Sequence, residues 1–272
     1  MASMAESCTC ITFPAPTRFV NDAFLDAAAL ERDRQAYQSA TPGAHLVLDG
    51  LFTPDLLRAV SGEFSGHKSW AKVERAGREL CFRSINGKPF GPAADSYFAA
   101  VNSARFLGYL QTLTGIADLV ADVTVQRGGL HETRAGGYFK VHRDFSYHRT
   151  NDLKVALIVL TYLNEDWRPE YRGDLELWSD AGCQRTIAPL FGRTVIMGSP
   201  DKMFHGHPDP LDVPVGMSRR SVATYFYVNQ HRSDVERDST QFLADLQPHG
   251  LRDAARRMLP ARLLSVARAM RG

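Results

Sequence analysis

From position 121 to about 231 the chain is a succession of short runs rich in Val, Ile, Thr, Tyr and Phe, each closed by Gly, Pro, Asn or Asp. No helical period separates them, so crossover helices are missing and the strands are expected to pair antiparallel, as a sandwich or jelly roll. The expected strands are 123–126, 137–142, 154–163, 174–178, 186–189, 194–197 and 221–229.

The flanks read differently. Positions 1–20, with Pro14 and Pro16 among small and polar residues, predict a loose arm. Positions 21–120 predict a helical part of the same domain. One helix opens at a capping Asn21 and runs to about Ser39, a second starts at Thr53-Pro54-Asp55, and a third runs from about Asp95 to Leu113. A short strand is expected at 45–48. The core then occupies 121–231, and 232–272 predicts a helical tail with a basic polar face (Arg252, Arg256, Arg257, Arg262).

Charge and composition remove several function classes. The formal net charge is +2 with no long basic run, so a nucleic-acid partner is not expected. The longest apolar stretch, 155–163, is far short of the roughly 18 to 20 residues that a membrane span needs. The first twenty residues lack a basic start leading into an apolar segment, so the expected compartment is the cytoplasm. Cys8, Cys10, Cys81 and Cys183 have no zinc-site spacing and read as reduced thiols.

His142-Arg143-Asp144 follows an apolar strand, and residues two apart on extended chain point to one side. Such a pair can hold two adjacent corners of a metal. The spacing alone is weak, since His207-Pro208-Asp209 repeats it in a chain with nine histidines. A two-His, one-carboxylate face also needs a third ligand from a distant strand. Only the first pair has one in prospect, because His205 lies just beyond the strand at 194–197.

Taken together, several segments are specific. They are Gly136-Gly137-Tyr138 before the His-x-Asp pair, Thr161-Tyr162-Leu163-Asn164-Glu165-Asp166-Trp167, Arg172-Gly173-Asp174-Leu175, Phe204-His205 and Arg219-Arg220-Ser221. In this order they resemble the Fe(II)- and 2-oxoglutarate-dependent dioxygenases of the prolyl-4-hydroxylase-like superfamily, over roughly 123–230. Arg172 departs from that family's usual Gly-Gly-x-Leu, at a turn rather than at a ligand.

The resemblance implies a double-stranded β-helix core and a set of roles. His142, Asp144 and His205 would hold Fe(II). Family spacing prefers His205 over His207, and Arg219 over Arg220, whose neighbouring side chains leave a strand on opposite faces. Arg219 and Ser221 would bind the distal carboxylate of 2-oxoglutarate, with Tyr138 or Tyr162 as a hydrogen-bonding aromatic and Tyr138 slightly preferred. Arg143, Phe145, Tyr147, Trp178, His207 and the segment 82–88 are candidate substrate contacts. O2 is the co-reactant, and ascorbate is a candidate reductant for the iron.

The implied activity is oxidation, first of all hydroxylation, of an unactivated C–H bond in a small molecule such as an amino acid or natural-product intermediate, releasing succinate and CO2. Family halogenases replace the acidic ligand by Gly or Ala, and Asp144 argues against that outcome. Desaturation, epimerisation and ring closure stay open, as does homodimerisation through the helical elements. Alternatives are a peptidyl or prolyl hydroxylase, which predicts a wide groove, a non-catalytic jelly-roll binding protein, and a cupin-type hydrolase with extra His or Glu ligands.

Overall fold

In the computed structural model, which describes residues 19–199, 203–230 and 239–246, the run at 155–163 falls in a central strand buried on both faces. In chain order the strands are β1 (His45–Asp49), β2 (Trp70–Arg75), β3 (Glu79–Ser84), β4 (Val120–Ala121), β5 (Gly129–Arg134), β6 (Tyr138–Arg143) and β7 (Leu153–Tyr162). They continue with β8 (Leu175–Ser179), β9 (Gly182–Ile187), β10 (Arg193–Met197), β11 (Phe204–His207), β12 (Ser218–Asn229) and β13 (Gln241–Phe242). The helices are α1 (Ala27–Ser39), α2 (Pro54–Glu63), α3 (Pro92–Val101), α4 (Ala104–Thr114) and α5 (Leu243–Leu246).

The strands form one curled antiparallel sheet in the order β1-β10-β7-β12-β5-β3-β6-β11-β8-β9, with β2 on β3, β4 on β12 and β13 on β6. This is the expected jelly-roll class. Alternation on β7 sends Leu157 and Val159 to a cluster shared with the helices, through Leu57, Leu110 and Leu113. It sends Ile158 and Tyr162 to the barrel interior, with Leu177, Val195 and Tyr225. Both faces are therefore apolar, which is why the run shows no period of two. Leu57 is fully buried in the helical layer, and truncating such a side chain to Ala costs about 2–5 kcal/mol.

Several expectations are corrected by local hydrogen bonding. Asn21 caps a separate 3-10 turn, Asp22–Leu25, by accepting from the Ala23 N–H, and Asp26 caps α1. The third expected helix is two. Asn102 closes α3, and Ser103 opens α4 by accepting from Phe106 N at 3.2 Å. The N-terminal part is not purely helical, since β2 and β3 form a hairpin within it.

The expected strand at 123–126 is a loop, because the Asp122 carboxylate takes up the backbone N–H groups of Thr124 and Gln126. The strands β5 and β11 were not expected, and β9 begins four residues earlier than the run at 186–189. The helical tail lies outside the described residues apart from β13 and α5. Among the described residues no helix is long and apolar enough to cross a membrane.

Candidate metal centre

β6 and β11 pair so that His205 lies opposite His142, while His207 lies opposite Phe139. Three steps on β6 thus match two on β11, a bulge at Lys140-Val141 that breaks the alternation. Phe139 and His142 consequently share the inner face, their rings stacked 3.7 Å apart. Tyr138 is turned outward, where its hydroxyl accepts from Gly77 N at 3.2 Å.

Inside the barrel, His142, Asp144 and His205 offer ligand atoms that lie within 4.8 Å of one another, all buried. His142 Nε2 is 3.3 Å from Asp144 Oδ1, and His205 Nε2 is 3.6 Å from Asp144 Oδ2. His142 Nδ1 donates to Lys140 O at 2.7 Å, which fixes the tautomer and leaves a lone pair on Nε2, a buried atom without a protein partner. The Tyr225 hydroxyl donates to Asp144 Oδ2 at 2.9 Å.

Burial alone would raise the Asp144 pKa, but the closeness of His142 and His205 and the hydrogen bond from Tyr225 hold it well below the usual carboxylate range. Burial, and then His142, push His205 down to about 4. Two imidazoles and one carboxylate, with an orphaned buried nitrogen aimed among them, fit a divalent first-row metal.

Beside the triad is a cavity of ≈ 70 Å³ whose polar lining includes Thr133, His207, Arg219 and Ser221. Arg219 is buried, donates from Nε to Gly173 O at 2.7 Å and from Nη2 to Tyr162 OH at 3.2 Å, and lies over the Tyr162 ring. Among the described residues no carboxylate comes within ion-pair distance of it. The guanidinium needs room that only glycine leaves: a Cβ on Gly173, at φ +77°, would sit 2.4 Å from Leu211 Cδ2 and 3.2 Å from Arg219 Cδ. Arg172, at φ +60°, holds a backbone conformation that favours glycine.

Arg220 leaves the other face of β12, donating to Ser61 O at 3.1 Å. The structure thus brings together His142, Asp144, His205, Arg219, Ser221 and Tyr162, and not Tyr138. His207 is inside the cavity but outside the donor cluster. Its Nε2 is 3.5 Å from Thr133 Oγ1, and burial followed by the Arg219 charge pushes its pKa well down.

The substrate candidates separate in the same way. With His142 and Leu177 inward, alternation puts Arg143 and Trp178 outside, where Arg143 donates to Gln241 and Trp178 to Glu176. Tyr147 is buried in an isolated bridge to Lys154. Phe145 packs on Tyr225, with ring centroids 4.9 Å apart, and lines a second, outer cavity of ≈ 440 Å³.

Arg83, Ser84, Ile85 and Asn86, all within 82–88, line the same space, and Arg83, His131, Phe139, Asp144 and Tyr225 border both cavities. Sequence reading missed His131 and Thr133 because β5 was not expected. It missed Glu79, whose carboxylate pairs with both Arg75 and Arg83, because the hairpin was not.

The family model of the 2OG-Fe(II) oxygenase superfamily matches residues 128–227. No curated protein matches. Among solved structures, a prolyl-4-hydroxylase from Pseudomonas putida is 18% identical, with TM-score 0.53 over 73% of this chain and 99% of that one. A 2OG-Fe(II) oxygenase-family oxidoreductase from Burkholderia pseudomallei is 10% identical, with TM-score 0.54 over 76% and 94%. The epimerase SnoN, in complex with Fe3+, alpha ketoglutarate and nogalamycin RO, is 14% identical, with TM-score 0.52 over 74% and 84%. At these identities the likeness is one of fold. The match over 128–227 spans the strands that carry the donor cluster and Arg219, so this segment of the chain matches the 2OG-Fe(II) oxygenase superfamily at the residues that build the site.

Proposed function

We propose that this enzyme hydroxylates an unactivated C–H bond of a small molecule, an amino acid or natural-product intermediate, with conversion of 2-oxoglutarate to succinate and CO2. The observation that carries the reading is Arg219, a buried guanidinium without a carboxylate partner among the described residues, beside a carboxylate–imidazole cluster. A desolvated arginine needs an anion, and a planar carboxylate takes two parallel hydrogen bonds from it.

In this reading His142, Asp144 and His205 hold Fe(II). Arg219, with the hydroxyls of Ser221 and Tyr162, seats the distal carboxylate of 2-oxoglutarate. The bound iron, with 2-oxoglutarate and O2, supplies the oxidising power, and ascorbate is a reductant that would keep it in the ferrous state.

The chain's own residues set the geometry. Lys140 O orients the His142 ring, Tyr225 holds Asp144, and the rings of Phe139 and Phe242 exclude water from His142. The outer compartment, at ≈ 440 Å³, falls within the roughly 300–1,000 Å³ of small-molecule sites, which favours a small substrate over a peptide. Free thiols at Cys81 and Cys183 support a reducing, cytoplasmic setting.

The test is anaerobic titration of apoprotein with Fe(II) and then 2-oxoglutarate, following the visible metal-to-ligand charge-transfer band. Wild type and His207→Ala are expected to develop it, and His205→Ala is expected not to. Arg219→Ala is expected to need far more 2-oxoglutarate. No band in wild type at saturation would sink the oxygenase reading.

A further inference from the structure

Arg219 does not satisfy a carboxylate by itself. Its Nε is given to Gly173 O at 2.7 Å and one Nη2 hydrogen to Tyr162 OH at 3.2 Å, so a ligand meets the Nη1–Nη2 end of the guanidinium. That end brings a pair of N–H groups to the roughly four acceptor sites of a carboxylate. The remaining sites call for further donors, and the hydroxyls of Ser221 and Tyr162 stand on the same side as Arg219.

The facing wall carries another donor. In the sheet order β5, β3 and β6 separate β12 from β11, and His207 lines the inner cavity from β11 as Arg219 does from β12. His207 is buried, and its Nδ1 has no hydrogen-bond partner among the described residues. Buried polar atoms are as a rule hydrogen-bonded, and leaving one unmet is costly. His131 Nε2 is in the same state, but His131 borders both cavities, whereas His207 lines the inner one and not the outer.

Neighbours hold the His207 ring in place. It lies opposite Phe139 in the β6–β11 register, with the two ring centroids 6.5 Å apart and edge to face. Its Nε2 is 3.5 Å from Thr133 Oγ1, and Thr133 is itself the cross-strand partner of Arg219 between β5 and β12. Gly137 leaves room for the Thr133 methyl, since a Cβ there would stand 2.6 Å from Thr133 Cγ2. With the methyl so placed, the hydroxyl is on the His207 side. A hydroxyl donating to Nε2 leaves the imidazole proton on Nδ1. The orphaned nitrogen is then a donor, in the cavity where Arg219 calls for an anion.

We propose that His207 Nδ1–H is a further donor to the distal carboxylate of 2-oxoglutarate, so that this group is gripped from both walls, by Arg219, Ser221 and Tyr162 on one and by His207 on the other. Thr133 is a positioning residue that sets the tautomer. His207 thereby serves the cosubstrate rather than the substrate, and the enzyme selects a keto acid by its second carboxylate. This inference rests on the oxygenase reading and deepens it.

The experiment is anaerobic titration of full-length, Fe(II)-loaded protein with 2-oxoglutarate and with 2-oxovalerate, the same keto acid with a methyl in place of the distal carboxylate. Affinity is read from the charge-transfer band in wild type, His207→Leu, His207→Asn and Thr133→Val. His207→Leu is expected to bind 2-oxoglutarate about tenfold more weakly, the equivalent of one hydrogen bond to a charged group, with 2-oxovalerate affinity unchanged. His207→Asn, which puts an amide N–H near the place of Nδ1–H, is expected to recover part of the loss, and Thr133→Val to show a smaller loss of the same selectivity. Unchanged 2-oxoglutarate affinity in His207→Leu, or an equal loss for both keto acids, would overturn the proposal. Where His207→Leu does not fold, Thr133→Val decides, and selectivity at the wild-type level overturns the proposal. A wild type that shows no band, or binds both keto acids equally, would instead bring down the oxygenase reading beneath it.

Discussion

Gly173→Ala tests whether the seat of Arg219 is set by backbone. The substitution forces an L-residue to φ +77°, at about 1–2 kcal/mol. It also places a methyl 2.4 Å from Leu211 Cδ2 and 3.2 Å from Arg219 Cδ in a buried site, and such overpacking costs about 1–3 kcal/mol. The sum is about 2–5 kcal/mol, which for a domain of this size lowers Tm by roughly 5–15 °C.

Relief of the clash must move Leu211, Arg219 or both, so 2-oxoglutarate affinity is expected to fall about tenfold, the equivalent of about 1.4 kcal/mol. Urea unfolding gives the stability change, and the charge-transfer titration gives the affinity. A double-mutant cycle with Leu211→Ala should recover at least about 0.5 kcal/mol of coupling, the lower end for residues in contact. Wild-type Tm and 2-oxoglutarate affinity in Gly173→Ala would refute the argument.

Three further outcomes follow from the site. In metal-free protein the folded-state pKa values of His205 and His131, about 4 and about 3, lie below the ordinary 6.5, so the unfolded chain binds more protons between those limits. Stability should therefore hold above pH 6.5 and fall by about 2 kcal/mol per histidine by pH 5, measured by urea unfolding at pH 7.5 and 5.0; a flat profile would contradict it. Tyr225→Phe removes the donor to Asp144 and should weaken metal binding by about 10- to 100-fold, read by chelator competition against wild type. Stripping metal with a chelator should lower Tm, and a divalent metal at about 100 times its Kd should restore about 2.7 kcal/mol; a Tm indifferent to metal would argue against a preformed site.

What the sequence disclosed follows where local rules act alone. The unbroken apolar run of β7 marked a strand between two packed layers, and alternation sent Arg219 and Arg220 to opposite faces. His142 and Asp144 lay in one short segment, and the distant His205 was found through family spacing. The bulge in β6 was hidden because it depends on how β11 pairs with it, and strict alternation puts Tyr138 beside His142 when it is Phe139 that is there.

The hairpin was hidden for another reason. Trp70–Arg75 carries Lys72, Glu74 and Arg75 and no buried residue, so it has no apolar period to read. The missed loop at 123–126 shows a side chain outbidding a ladder, since the Asp122 carboxylate captures the N–H groups that a strand would have offered to a neighbour.

The pairing of β13 with β6 bears on how the site breathes. Phe242 lies opposite His142, with its ring 5.9 Å from the imidazole, yet β13 is only two residues long. Peeling so short a strand costs far less than opening the sheet, so local fraying rather than global unfolding governs when solvent reaches this flank. Hydrogen exchange at β13 should be fast and nearly independent of denaturant, while the amides of β7 exchange only with the whole domain. Access of chelators and of stray reductants to the metal would then follow the rhythm of β13, decoupled from the stability of the barrel that holds the ligands.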